Sequence, residues 1–237
     1  MIFRVLASDL VKIRKKMIWF LIFLGPIGVI ALQAVNFGLR YDYLTNLYAD
    51  DLWGGLIDNV RFLAIPTLFI GLTIIISMIA NIEHQTNSWK QVLALPISRR
   101  HVFTGKFVLA SILLLISSTL LGIGTIILGL ILKFGTVIPY LYLTKIIFYP
   151  YLAIMPFIAL QIWLSIVIHN QAIPLTIGIL GTVVSLYASV LPDWAPYKWP
   201  LLDNQWGEPL YSVIAGLVVG VFIYLVGLVN FVRKDVN

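Results

Sequence analysis

The fold class this sequence predicts is an all-α polytopic membrane protein, and three observations carry the prediction. Six apolar runs each reach the ~20 residues that a helix needs to cross a bilayer core. Only 11% of the 237 residues are charged, against roughly 25% in a soluble domain, and the mean hydropathy is +0.98. Lysine and arginine also gather on alternate segments between the runs, the asymmetry that sets membrane orientation.

The runs cover residues 17–37, 62–82, 107–132, 146–168, 172–191 and 210–232. Only His169, Asn170 and Gln171 separate the fourth from the fifth, so a five-span count stays open beside the preferred six. With the N-terminus inside, the cytoplasmic segments hold Arg4, Lys12, Arg14, Lys15, Lys16, Lys90, Arg99, Arg100, Lys106, Arg233 and Lys234, against Asp9, Glu83 and Asp235. The outer segments hold five basic residues and seven acids, so the balance is +8 inside and −2 outside, which sums to the overall +6. Both termini are expected in the cytoplasm.

Residues 1–16 are too polar for the bilayer core. Wound as a helix they place Ile2, Phe3, Leu6, Leu10 and Ile13 on one face and Arg4, Ser8, Lys12 and Lys15 on another. That pattern predicts an interfacial amphipathic helix, or else a basic tail that only fixes topology. No cleavable signal peptide is expected, because the first run is long enough to span and no small-residue cleavage site follows it.

The first outer loop, residues 38–61, carries Asp42, Asp50, Asp51 and Asp58 with Tyr41, Tyr43, Tyr48 and Trp53. The last outer element, residues 192–209, sets Trp194, Trp199 and Trp206 among four prolines. Tryptophan favours the membrane–water boundary because its ring is apolar and its N–H wants a polar partner. Short pieces dipping into the outer leaflet are therefore expected. The tryptophans form either an ordinary aromatic belt or a lip that touches substrate.

Within the runs, small residues recur at four-residue spacing: Gly216 and Gly220; Gly181, Ser185 and Ser189; Ser118 and Gly122. Such stripes let helices approach closely, within the chain or across a dimer. Pro26, Pro66, Pro150, Pro156 and Pro174 predict kinks or breaks. The amides Gln33, Asn36 and Gln161 can each be satisfied by a neighbouring helix.

What is missing narrows the chemistry. The chain has no cysteine, which excludes disulfides, thiolate metal sites and cysteine nucleophiles. No acid or base lies inside a run away from its ends, whereas ion-coupled carriers hold such groups at mid-depth. There is no phosphate loop: Gly105-Lys106 is followed by Phe107 and lacks the upstream glycine. Glu83-His84 is not HExxH, no serine sits in GxSxG, and His84, His101 and His169 have no metal-ligand spacing. Energy for transport would have to come from a cytoplasmic ATPase partner.

The remaining polar stretch, residues 82–106, lies between the second and third runs. Its first half suits a helix with Ile82, Trp89 and Leu93 on one side and Glu83, Asn87, Lys90 and Gln91 on the other. Pro96 ends that helix, and Ser98 is placed to cap the span beginning near Arg99. An apolar ridge with a charged rim at the cytoplasmic end of two spans would dock in a groove on a partner. A loop that is basic only because it is cytoplasmic is the plainer alternative.

The whole arrangement resembles an ABC-2 type permease, the membrane half of a bacterial ABC exporter, which places it with the type V exporter-like folds. The segment Glu83-x3-Asn87-x-Trp89-Lys90-x2-Leu93-x2-Pro96-x-Ser98-Arg99, then Lys106, is similar to the E…T-W-K-x-L-L-x-x-P-V-S-R…K pattern of permeases related to lantibiotic-immunity and bacitracin-resistance transporters. Asn87 stands where such proteins often carry Thr, and His84 where Tyr or Arg is common. The topology matches over the full length, and the residue-level likeness is concentrated in this segment.

That resemblance implies a single transmembrane domain paired with a second permease, the same or a related chain, above two cytoplasmic ABC ATPases. ATP and Mg would bind those partners, with no cofactor on this chain and no nucleic acid involved. It makes Glu83, Asn87, Trp89, Lys90, Leu93, Pro96, Arg99 and Arg100 the expected ATPase-coupling residues. Trp53, Trp194, Trp199 and Trp206 become the candidate outer contacts for an amphipathic or peptide antibiotic leaving the plasma membrane. An ABC-2 permease for another substrate (lipid, drug or polysaccharide), an anchor or sensor that recruits an ATPase without transport, and a membrane-embedded enzyme are the competing classes.

Overall fold

The computed structural model describes residues 2–14, 16–85 and 98–233, and the described residues contain helices without strands. In chain order the helices are α1 Ile2–Ile13, α2 Ile18–Leu39, α3 Tyr41–Leu47, α4 Leu52–Gln85, α5 Arg99–Ile131, α6 Tyr140–Ala153, α7 Met155–Val167, α8 Ala172–Leu186 and α9 Pro209–Arg233. Single 3₁₀ turns occupy Ala188–Val190 and Trp199–Leu201. Among the described residues five stretches are long and apolar enough to cross a membrane: α2, α4, α5, α9 and the nearly continuous pair α6–α7. With no lipid-side partner for a peptide group, a helix that satisfies its own backbone is the form such sequences take.

One element is longer than the sequence predicts, one begins at the predicted cap and one is shorter. Most of the expected first outer loop is helical, because α4 begins at Leu52, where Asp51 accepts a hydrogen bond from the Gly54 N–H at 2.8 Å and caps the new end. Trp53, Leu56, Ile57 and Val60 then bury one face of this extension. As the sequence predicts, α5 begins at Arg99 with Ser98 as its N-cap, so Lys106 lies inside a helix. In contrast α8 has 15 residues, about 22 Å at 1.5 Å each, short of a hydrocarbon core of about 30 Å. It stops at Tyr187, and the chain then turns through the Ala188–Val190 3₁₀ turn toward Pro192.

The prolines act unequally. Pro26 and Pro66 lie within continuous helices, and Ser117 Oγ donates at 3.1 Å to the Ile22 carbonyl that Pro26 leaves unpaired. Pro150 and Pro156 flank a break at Ile154, where one apolar stretch becomes α6 and α7. Helix α9 lies along both halves of that break. A Cβ added at Gly216 would sit 2.6 Å from the Ala153 backbone, and one at Gly220 2.9 Å from Met155. The Gly216/Gly220 stripe therefore serves packing within the chain. Two of the three amides of the runs are satisfied between helices: Gln33 donates to the Asn59 carbonyl at 2.8 Å, and Gln161 to the Pro174 carbonyl at 3.0 Å, whereas Asn36 donates to Gln33 Oε1 on its own helix at 3.2 Å.

The two ends of the bundle differ. One end gathers α1, the end of α4, the start of α5 and the end of α9. The other carries α3, the start of α4 and residues 192–208. There Tyr197 reaches inward, with its ring 5.7 Å from Phe69 and 4.5 Å from Phe157.

Candidate functional site

Four charged side chains meet under α1. The Lys106 ammonium on α5 lies 2.8 Å from Glu83 Oε2 on α4 and 3.8 Å from Asp9 Oδ2 on α1. Lys12, one turn after Asp9, reaches Glu83 Oε1 at 3.1 Å and Asp9 Oδ1 at 3.2 Å. Two carboxylates and two ammonium groups leave the cluster neutral. Glu83, Lys106 and Asp9 are buried, the first at 1% exposure, while Lys12 is half-buried at the rim.

Local sequence places each member. Asp9 shares the inward face of α1 with Val5 and Ile13, at four-residue spacing. That face can close on α5 because residue 105 is glycine: a Cβ there would stand 2.8 Å from Val5 Cγ1. Glu83 occupies the last turn of α4 and Lys106 the second or third turn of α5. Burial alone pulls the Lys12 ammonium down, but the carboxylates of Glu83 and Asp9 outweigh it and hold it above the ordinary lysine range. Desolvating such ions is expensive, and removing one partner strands another. The arrangement therefore locks α1 to the two helices whose ends lead into residues 86–97.

This geometry changes the reading of Glu83. Instead of lying on an exposed rim, it is closed inside the chain against Lys106 and α1. Lys12 is likewise not on an outward polar face; it turns in toward Glu83. Meanwhile Phe3 and Leu10 stay exposed on α1. Of the other coupling candidates, Arg99 donates to the Val232 carbonyl at 3.3 Å, at the negative end of α9. Arg100 is exposed. Asn87, Trp89, Lys90, Leu93 and Pro96 lie outside the described residues.

The four tryptophans separate into two pairs. Trp53 is 5% exposed, set against Gly129 and edge-on to Phe134 at 6.4 Å. Trp199 is equally buried and donates from Nε1 to the Asp193 carbonyl at 2.9 Å. Both therefore hold the fold and present no outer surface. Trp194 and Trp206 are exposed at 74% and 54%, and with Lys198, Gln205 and Tyr211 they line an open hollow of about 930 Å³. Its floor is braced by Asp193, which meets Lys198 at 2.7 Å and accepts from the Gln205 N–H at 2.9 Å. The Lys198 bond, followed by the Gln205 bond, holds the Asp193 carboxyl below its usual value.

Sequence reasoning missed Asp9 as a site residue and treated Lys12 and Lys106 as basic residues of the cytoplasmic face. A signal was present: Asp9 is the single acid of the basic N-terminal stretch, and Glu83 and Lys106 flank the segment symmetrically. Among the described residues no three His, Asp or Glu side chains converge as metal ligands. The cluster's chemistry is electrostatic fastening.

A multi-pass helical bundle whose N-terminal helix is fastened by buried charges to two of its spans defines a polytopic membrane protein. The model of the ABC-2 family transporter protein matches residues 5–185, which include all four cluster members, and the chain belongs to that family. It is thus a membrane component of an ABC-2 transporter. No curated protein and no solved structure matches the chain.

Proposed function

We propose that this chain is the permease subunit of an ATP-driven exporter of the bacterial plasma membrane, crossing six times with both termini in the cytoplasm. The charge asymmetry supports that orientation, and α8 together with residues 187–191 would make the fifth crossing. Two permeases would face each other above two ABC ATPases that hold ATP and Mg. Closure of the ATPases would move residues 82–106, with Trp89, Lys90 and Leu93 docking on the partner. Glu83 would relay that motion through Lys106 and Lys12 to α1.

The observation that carries this reading is the buried cluster, which ties α1 to both helices leading into the docking segment. The substrate would be an amphipathic or cationic peptide antibiotic of the lantibiotic or bacitracin kind, moved out of the membrane for immunity. Exposed Trp194 and Trp206 and the acids of the first outer segment support that class. Because Asp51 caps α4 and Asp58 accepts from Tyr142, Asp42→Asn with Asp50→Asn is the cleaner charge test. Peptide resistance should fall in that double variant, and unchanged resistance refutes the charge role.

The deciding experiment purifies the chain with its ATPase and measures ATP hydrolysis with and without peptide. Glu83→Gln and Trp89→Ala should keep assembly but bring stimulated hydrolysis down to the basal rate. Full stimulation in both variants refutes the relay. Recruitment of the ATPase with no stimulation by peptide, lipid, drug or glycan in the unaltered protein would identify an anchor or sensor instead.

A further inference from the structure

A second feature lies along the middle of α4. A narrow cleft of about 620 Å³, including the space open to its surroundings, runs between α2, α4, α5 and α6. Gly25 and Pro26 on α2, Gly71 on α4 and Pro150 on α6 line it, so positions with little side chain leave space between the helices. Of its wall hydroxyls, Thr67 donates to the Leu63 carbonyl at 2.7 Å and Ser117 to the Ile22 carbonyl at 3.1 Å. Both spend their protons on backbone, and apart from Ser118 and Arg61 the rest of the lining is apolar.

One charge borders the cleft. Arg61 lines it, is half-exposed, and makes no hydrogen bond or ion pair with any described residue. Asp58, one turn earlier on α4, accepts from the Tyr142 hydroxyl. Twenty-two residues of α4 separate Arg61 from Glu83, about 33 Å of helix. That matches the ~30 Å hydrocarbon thickness, so with the charge cluster at one polar boundary Arg61 stands at the opposite one. A guanidinium at headgroup depth above an apolar cleft complements an anionic head on an acyl tail.

We infer that this cleft binds one anionic glycerophospholipid of the bilayer, its acyl chain between α2, α4, α5 and α6 and its phosphate on Arg61. The site is independent of the exported substrate and of the ATPase reading. Arginine fits the task because its planar fork takes two phosphate oxygens at once.

The test is native mass spectrometry of the full-length protein, released from detergent after incubation with phosphatidylglycerol or phosphatidylcholine. One phosphatidylglycerol should be retained in preference to phosphatidylcholine. Arg61→Gln should weaken retention at least about tenfold, the loss expected for a charge-assisted hydrogen bond, and Arg61→Lys should keep most of it. Gly71→Leu should abolish retention by filling the cleft, and the variant should fold, since an added Cβ at Gly71 meets nothing within 4 Å. Equal retention of the two lipids, or unchanged retention in Arg61→Gln or Gly71→Leu, overturns the assignment.

Discussion

Each end of the bundle carries a carboxylate bonded to a lysine, and the two pairs do opposite work. Glu83 and Lys106 meet at 2.8 Å with side chains 1% and 3% exposed, joined to a second such pair on α1. Asp193 and Lys198 meet at 2.7 Å, but beside solvent and within one turn-rich segment. The distances are nearly equal and the surroundings are not. A buried pair lets neither partner go back to water, so it fastens separate helices together. A partly exposed pair within one segment, at 16% and 14%, only trims the shape of a loop. At the far end the fastening is done by aromatic packing, by Phe37, Trp53 and Phe134.

The contrast can be broken most severely at Glu83. Glu83→Ala strands Lys106 and should cost about 3–5 kcal/mol of stability, read as a lowered unfolding midpoint in detergent. Replacing both Glu83 and Lys106 by leucine should recover most of it, since an apolar pair desolvates without penalty. Next comes the aromatic end: Trp53→Ala opens a void against Gly129 and Phe134 and should cost about 3 kcal/mol, without touching peptide-stimulated hydrolysis in the assembled complex. Lys12→Ala, at the half-buried rim, should cost about 1 kcal/mol and leave the Glu83–Lys106 contact in place.

The smallest effect belongs to Asp193. Its carboxyl is held low in the folded protein, so its contribution is complete above the ordinary aspartate value and disappears as pH falls through the folded one. Acid below that range should therefore loosen residues 193–205, seen as a change in Trp194 emission with little shift of the global unfolding midpoint. Asp193→Asn should remove the pH response of that emission.

The helical class and the apolar runs were legible in the sequence because hydropathy over some 20 residues reports directly on a bilayer crossing. The cap at Ser98 was legible too, since a serine before a helical run has few other uses. The start of α4 was hidden, because Asp50, Asp51 and Asp58 make residues 50–61 read as a polar loop, although one face of that helix is apolar throughout. The buried cluster was hidden for a different reason. Counting Lys12, Glu83 and Lys106 by membrane side records their charge and says nothing of which way each points. The fate of Trp53 and Trp199 was equally out of reach, since a ring favoured at an interface is as readily used beneath it.

The break at Ile154 carries a mechanical consequence. A two-part helix should bend freely at its joint, yet α9 lies along both parts, with Gly216 against Ala153 and Gly220 and Gly227 against Met155 and Trp163. It acts as a splint. Bending α6 relative to α7 must drag α9 or slide it by a glycine step, so the joint is stiff until α9 shifts. Because Arg99 grips the far end of α9, the splint is held by the same helix, α5, that holds α1.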